Sequence, residues 1–384
     1  MHFNKKINRK NTNSFKWDDY QNLFGRSDLM PFWVADMDFA TPEPILDAIR
    51  ERTKHPIFGY EIRSEKYYCA IEDWVRRRHN WSIDREWLTF CPPSTIVGIY
   101  GLVNALTFEG DSIIIPTPNY GPLLNLVKDN QRELITSPMR ETQGMFSIDL
   151  DDIENKIQTN SKMIILSSPH NPTGRVFKKS EIDDLSELAN KYKLIVISDE
   201  VHSDLVLPGF KHIPFGKIMK HQSVTIISPN KSFNTASIPQ STFIIPNENI
   251  REKFKDYLET TQLNHDASFG SVAMIAAYCH CEEWLDELLS YIHGNHKIVQ
   301  NYFEKNFPKV KKTYAEGTYL AWLDCRALNM SDNEIKKRLV EKGGIGLYGG
   351  DYFGMETEGF FRMNIACSRE FLIKGLKAIK KALS

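Results

Sequence analysis

The chain has 384 residues, of which 41% are hydrophobic and 25% charged, and a formal net charge of −1. These are the proportions of an ordinary globular protein, long enough for two domains or for one large domain with a subsidiary one. A near-neutral chain without a basic stripe argues against nucleic acid or an anionic membrane surface as the main partner, and no stretch reaches the roughly 18 apolar residues of a membrane span.

The opening Met1-His2-Phe3-Asn4-Lys5-Lys6 lacks the apolar segment of a signal peptide, so a cytoplasmic protein is expected. Six cysteines (Cys69, Cys91, Cys279, Cys281, Cys325 and Cys367) are scattered without a Cys-x-x-Cys pair, which suits reduced core residues. Cys279-His280-Cys281 sits in a helical pattern whose one-residue gap sends the two thiols to different faces, so no metal is expected.

In chain order, Pro31-Phe32-Trp33-Val34-Ala35-Asp36-Met37-Asp38-Phe39 reads as extended. Thr41-Pro42-Glu43-Pro44 opens a helix with proline in its first turn, which carries on through residues 45–52. Phe58-Gly59-Tyr60 is a loop, and residues 67–79 space apolar positions three or four apart, as a helix does. From 94 to about 243, helical stretches alternate with short apolar runs, among them Ser112-Ile113-Ile114-Ile115, Glu133-Leu134-Ile135 and Thr242-Phe243-Ile244-Ile245. Strands alternating with helices make crossover units, hence an α/β fold with a mainly parallel sheet covered by helices on both faces. Helices are expected at 250–258, 269–278 and 284–303, the last long enough to link two domains. The tail changes character, with alternating strands at 317–324 and 360–365 and helices at 331–342 and 370–382, so a smaller α+β domain is expected there. The expected division is an N-terminal segment at 1–45 packing with the small domain, a large cofactor-binding domain at 46–285 and a small domain at 286–384.

Three of the apolar runs end in polar clusters. Lys162-Met163-Ile164-Ile165-Leu166 leads into Ser167-Ser168-Pro169-His170-Asn171-Pro172-Thr173-Gly174. Leu194-Ile195-Val196-Ile197-Ser198 leads into Asp199-Glu200-Val201-His202, and Val224-Thr225-Ile226-Ile227 into Ser228-Pro229-Asn230-Lys231. In an open α/β sheet, ligands sit beyond the carboxyl ends of the strands, so the three clusters should converge. A lysine there is desolvated and offers an amine able to form a Schiff base. Pyridoxal phosphate needs such a lysine, an acid at the ring nitrogen, a donor for the ring oxygen and a cup for the phosphate. Lys231, Asp199 and Asn171 are the candidates for the first three. Ser94-Thr95-Ile96 opens a helix whose free N–H groups suit a phosphate, with Ser228 as a further hydroxyl, although the same residues would serve as an ordinary N-cap. Tyr120 follows another strand and suits stacking on the ring. His202, three residues past Asp199, suits support of the acid or the ring; a half-buried histidine with other partners would look the same.

The set Ser168-Pro169-His170-Asn171-Pro172-Thr173-Gly174, Ser198-Asp199-Glu200-Val201-His202 and Ser228-Pro229-Asn230-Lys231 resembles the fold-type I aminotransferase superfamily. More narrowly, Trp33 to Phe39, Phe58-Gly59-Tyr60, Gly317-Thr318-Tyr319-Leu320-Ala321-Trp322-Leu323-Asp324 and Phe361-Arg362-Met363-Asn364-Ile365-Ala366 resemble the MalY/PatB branch of cystathionine β-lyases. The resemblance implies a pyridoxal-phosphate-dependent carbon–sulfur β-lyase acting on cystathionine or cysteine S-conjugates, with release of a thiol, pyruvate and ammonia. It makes Lys231 the Schiff-base lysine and general base, Asp199 the ring-nitrogen partner, Asn171 the ring-oxygen donor and Tyr120 the stacking aromatic. Arg362 becomes the clamp for the substrate carboxylate, with Trp33 and Asn171 beside the substrate, and Tyr60 reaches the neighbouring subunit's cofactor, which implies a homodimer. Two departures from the family pattern lie near the cofactor: Ser94-Thr95-Ile96 stands where Gly-Val-Val is usual, and Ala236-Ser237-Ile238 where Ala-Gly-Leu is usual. The alternatives are an aminotransferase, a cysteinyl-glycine S-conjugate lyase and, from another class, a cofactor-binding regulator.

Overall fold

A computed structural model describes residues 3–354 and 356–384. Met1 and His2, at the head of the opening read above, lie outside the described residues. Seven apolar runs pair into one sheet: Leu88–Phe90 (β1), Ser112–Thr117 (β2), Glu133–Pro138 (β3), Ser161–Ser167 (β4), Ile195–Asp199 (β5), Ser223–Ile227 (β6) and Thr242–Ile244 (β7). They lie side by side in the order β1-β7-β6-β5-β4-β2-β3. β2 to β6 pair in parallel. β7 is antiparallel to both β6 and β1, because the chain between β6 and β7 forms no helix and turns straight back.

Alternation along each strand sends successive side chains to opposite faces. Ile113 and Ile115 of β2 join Ile165, Ile197, Val224 and Phe243 on one face. That face is covered by Thr95–Leu106, Gly121–Asp129 and Glu248–Thr260 through Ile99, Leu102, Leu126 and Phe254. Ile114, Ile164, Leu166 and Val196 line the other face under Leu185, Leu188 and Ala189 of Lys179–Lys191. Each such side chain, fully withdrawn from water, contributes about 1.5–3 kcal/mol before chain entropy is subtracted.

Glu43–Thr53, Glu65–His79 and Ser268–His280 form a further helical layer around Ile45, Ile71, Trp74 and Met274, where Trp74 stacks on Tyr278 at 4.9 Å. The 25-residue helix Glu282–Asn306 crosses between two cores. Leu285, Leu288 and Ile292 pack with that helical layer, whereas Val299 and Phe303 pack with Leu323, Phe361, Met363, Leu372 and Leu376. This second core lies between Arg369–Leu383 and a four-stranded antiparallel sheet of Lys311–Lys312 (β8), Leu320–Asp324 (β9), Tyr348–Gly349 (β10) and Phe360–Asn364 (β11), ordered β8-β9-β11-β10. The expected helix at 331–342 is α-helical only over Asp332–Arg338; it widens into a π turn and stops at Gly344, whose φ of +62° a side chain would resist.

The N-terminal segment does not belong to one core. Met30–Pro31 pairs in parallel with Ile345–Gly346 and Phe32 enters the small-domain core, but Phe3, Met37 and Phe39 enter the helical layer of the large one. The segment expected to pack with the small domain thus runs as a strap that touches both cores.

Candidate active site

The carboxyl ends of β4, β5 and β6 open into a cavity of about 260 Å³, walled among others by Asn171, Asp199, Lys231 and Arg362. Asn171 lies four residues past β4, Asp199 ends β5, and Lys231 lies four residues past β6. Lys231 Nζ donates to the Ala35 carbonyl at 3.0 Å. Burial lowers its pKa and the Arg362 charge lowers it further, while Asp36 and Asp199 oppose both. Burial pushes the Asp199 carboxyl up to about 6, against the Val201 N–H and Lys231, which favour its anion. His202 is driven down to about 3 by burial and by the nearby Lys231 and Arg362 charges, so it is neutral, and its Nδ1 has no partner among the described residues.

Arg362 comes from β11 of the small domain and is buried. Its Nη1 donates to Asn171 Oδ1 at 3.0 Å and its Nη2 to the Trp33 carbonyl at 2.7 Å, while Nε has no partner among the described residues. The guanidinium lies 4.9 Å from the Phe353 ring and 5.5 Å from the Tyr348 ring.

Across the cavity, Ser94 caps the helix Thr95–Leu106 by accepting from the Val97 N–H at 3.1 Å. Pro93, Ser94, Thr95 and Ile96 all line the wall, so the first-turn N–H groups and the positive end of the helix dipole lie at the cavity. Tyr120 also lines the wall, packed toward Tyr352 at 6.3 Å between rings, and burial raises its pKa.

Three expected residues, Ser228, Trp33 and Tyr60, have their side chains engaged elsewhere or turned to solvent. The Ser228 hydroxyl lines the cavity but donates to the Gln240 carbonyl at 2.7 Å and accepts from the Asn230 N–H, so it is spent on holding the lysine loop. Trp33 is fully buried and its ring does not line the cavity: it packs among Phe15, Tyr348 and Phe24, with Nε1 donating to the Lys16 carbonyl. An indole of that size buries best among other rings, and the Trp33 backbone carbonyl is what accepts from Arg362. Tyr60 is 96% exposed beside His265 and lies away from this chain's cavity.

Sequence reasoning missed Phe15, Tyr348 and Tyr352 on the wall. Tyr348 and Tyr352 stack at 4.2 Å and 7°. Their signal was the run Tyr348-Gly349-Gly350-Asp351-Tyr352-Phe353-Gly354, where glycines let aromatic-bearing backbone come close to its neighbours. A Cβ on Gly350 would collide with the Thr357 carbonyl.

The family model for class I and II aminotransferases matches residues 27–379. The chain belongs to that family. Cystathionine β-lyase PatB of Bacillus subtilis is 39% identical over 388 residues, with both chains covered completely. Protein MalY of Escherichia coli is 31% identical over 384 residues, covering 99% of this chain and 98% of MalY. The solved PLP-bound C–S lyase of Staphylococcus hominis is 34% identical and superposes with a TM-score of 0.94, covering 100% of this chain and 98% of the other. Within the family, the chain is of the MalY/PatB type.

The cavity fits the group such a family member carries. A buried carboxyl without a cationic partner in hydrogen-bond contact suits a protonated ring nitrogen, and the unclaimed His202 Nδ1 lies on the same wall. The Lys231 amine suits an aldehyde, the Asn171 amide a ring oxygen and the helix N-terminus a phosphate.

Proposed function

We propose that the chain is a pyridoxal-phosphate-dependent carbon–sulfur β-lyase that acts on cystathionine or cysteine S-conjugates and yields a thiol, pyruvate and ammonia. The observation that carries this reading is the meeting of a half-buried amine, a buried carboxyl and a buried guanidinium, Lys231, Asp199 and Arg362, in one cavity.

Bound there, pyridoxal phosphate supplies an aldehyde for amines and a cationic ring that draws electrons from the substrate Cα. Lys231 holds the cofactor at rest and, when released, takes the α-proton at Nζ; its lowered pKa favours the neutral, proton-accepting form. Asp199 keeps the ring nitrogen protonated, since a carboxylate in low dielectric strongly favours an adjacent cation. Asn171 would donate to the ring oxygen, Tyr120 would pack on the ring, and the N–H groups at Thr95 and Ile96 would hold the phosphate. Arg362 grips the substrate carboxylate by a forked pair of N–H···O bonds, which fixes the angle at which Cα–H meets Lys231. With the α-proton removed, the β-carbon releases its sulfur as thiolate, and water completes the conversion to pyruvate and ammonia.

Ile57, Phe58, Tyr60 and Ile62 form an exposed apolar loop, 53–96% accessible. This supports a homodimer in which Tyr60 completes the partner's site. Among the described residues no helix is long and apolar enough to cross a membrane. The six free cysteines support a reducing, cytoplasmic setting. Residues 46–285 form the cofactor-binding domain and 286–384 the small one, with 1–45 spanning both.

The test is product analysis on the holoenzyme with L-cystathionine and S-benzyl-L-cysteine. Stoichiometric thiol, pyruvate and ammonia are expected. A keto acid that retains the sulfur, formed together with pyridoxamine phosphate, would instead identify an aminotransferase.

A further inference from the structure

The strap from Phe32 to Met37 has one carbonyl after another claimed by a donor, and a single side chain claims two of them. Asn364, on β11 two residues past Arg362, donates from Nδ2 to both the Val34 and the Asp36 carbonyls. Its backbone N–H donates to the Phe32 carbonyl at 2.8 Å, and its Oδ1 accepts from the Ala366 N–H at 2.8 Å, so its hydrogen-bonding groups are occupied. The backbone bends at Val34 and Ala35, and the two bonds from Asn364 pin the carbonyls on either side, which together hold in place the carbonyl of Ala35. It meets Lys231 Nζ at 3.0 Å and the Tyr319 hydroxyl at 3.1 Å.

We propose that Asn364 is a positioning residue for the Lys231 amine, acting through the Ala35 carbonyl. The proposal rests on the reading of Lys231 as the proton-accepting amine. An amine that donates one N–H to a fixed carbonyl has its lone pair confined to directions away from that carbonyl, on the side open to the cavity. Because Asn364 and Arg362 share β11, the strand that grips the substrate carboxylate also sets the direction of the base.

The experiment compares parent, Asn364→Ala and Tyr319→Phe. In the holoenzyme, Asn364→Ala should lower kcat about 10–100-fold with KM for S-benzyl-L-cysteine moved less than about threefold, the pattern of a misaligned base and not of lost binding. In the full-length protein freed of cofactor, the pH midpoint for methylation of Lys231 by formaldehyde and cyanoborohydride should fall by about one unit in Asn364→Ala, because the ammonium loses an acceptor. The midpoint should rise in Tyr319→Phe, where the carbonyl keeps the ammonium as its donor. Asp199 from β5, His202 from the turn after it, Arg362 from β11 and Asp36 on the strap also face Lys231. All of these remain in both variants, so the differences report the carbonyl.

A folded Asn364→Ala protein with parental kcat and parental midpoint overturns the proposal, as does a lowered Tm with no change of midpoint. If Asn364→Ala does not fold, an unmoved midpoint in Tyr319→Phe overturns it. If no protein, the parent included, releases thiol, the lyase reading fails while the midpoints still decide the positioning.

Discussion

Arg362 Nη1 and Asn171 Oδ1 lie 3.0 Å apart although 191 positions separate the two residues in the chain. The bond joins β11 of the small domain to the turn after β4 of the large one, so the proposed carboxylate grip and the proposed ring-oxygen donor are aligned by each other and not only by their own elements.

Arg362→Lys should therefore disturb both. An ammonium replaces the fork by a point charge and cannot serve Asn171, the Trp33 carbonyl and a substrate carboxylate in the same geometry. KM should rise and kcat fall together, by about tenfold each for the loss of one charge-assisted bond. In a cysteinyl-glycine conjugate the free carboxylate lies one residue further out, ~3.8 Å between Cα atoms. Free cysteine conjugates should be preferred by the parent, and kcat/KM for the matched pair checks this. A parent that favours the dipeptide would remove the substrate preference while leaving the lyase chemistry in place.

Lys231→Ala should abolish elimination, with kcat reduced at least 10²–10⁴-fold, the usual worth of a general base. Borohydride treatment of the parent holoenzyme should fix the pyridoxyl group to a peptide containing Lys231, and that peptide should be unmodified in the variant. Thiol release near the parental rate in Lys231→Ala would place the base elsewhere.

Asp199 makes a prediction about stability without cofactor. Its carboxyl is raised from an ordinary 3.8 to about 6 by burial. Below pH 4 both folded and unfolded chains are protonated there and the group costs nothing. Between about pH 4 and 6 the unfolded chain gives up its proton first, so folding loses stability as pH rises, to a plateau of roughly 3 kcal/mol above pH 6. Asp199→Asn should remove this slope and make the cofactor-free protein more stable at pH 7 than the parent, while lowering kcat of the holoenzyme steeply. Chemical denaturation of both proteins at pH 4, 5, 6 and 7 measures it; parallel pH curves would show that Asp199 is charged when buried.

Gly98 lies one turn into the helix whose N-terminus meets the cavity, and a Cβ there would collide with the Phe243 ring of β7. Gly98→Ala should cost about 1–3 kcal/mol by overpacking and, because the helix must shift, should also weaken pyridoxal phosphate binding. Urea denaturation and cofactor titration read the two effects separately. Full stability would mean that the ring rotates away at little cost.

The residues legible in the sequence share one property: each stands at or just past the end of a short, nearly continuous apolar run that marks a buried strand, so its place at the strand end could be deduced. Asn171, Asp199 and Lys231 are of this kind. Tyr348 opens a two-residue strand, too short to show any period, and Tyr352 follows it through the close glycine-rich turn. The orientation of Trp33 was not legible for another reason. The sequence places it beside the site but does not say which way an indole in an extended segment turns, and that was decided by Phe15, Phe24 and Tyr348. The antiparallel β7 was equally hidden, since only the lack of a helix between residues 227 and 242 marks it.

The amide, carboxyl and amine of the cavity are spread from residue 171 to residue 231 and become neighbours only when β4, β5 and β6 have paired in parallel. Parallel pairing requires a crossover before any contact repays its loop entropy, so a half-folded chain presents no partial pocket to the cofactor. Pyridoxal phosphate should accordingly leave the refolding rate unchanged while slowing unfolding and raising Tm with the logarithm of its concentration. Refolding that accelerates with added cofactor would mean that these strands assemble early; otherwise the cofactor acts as a latch on a fold already complete.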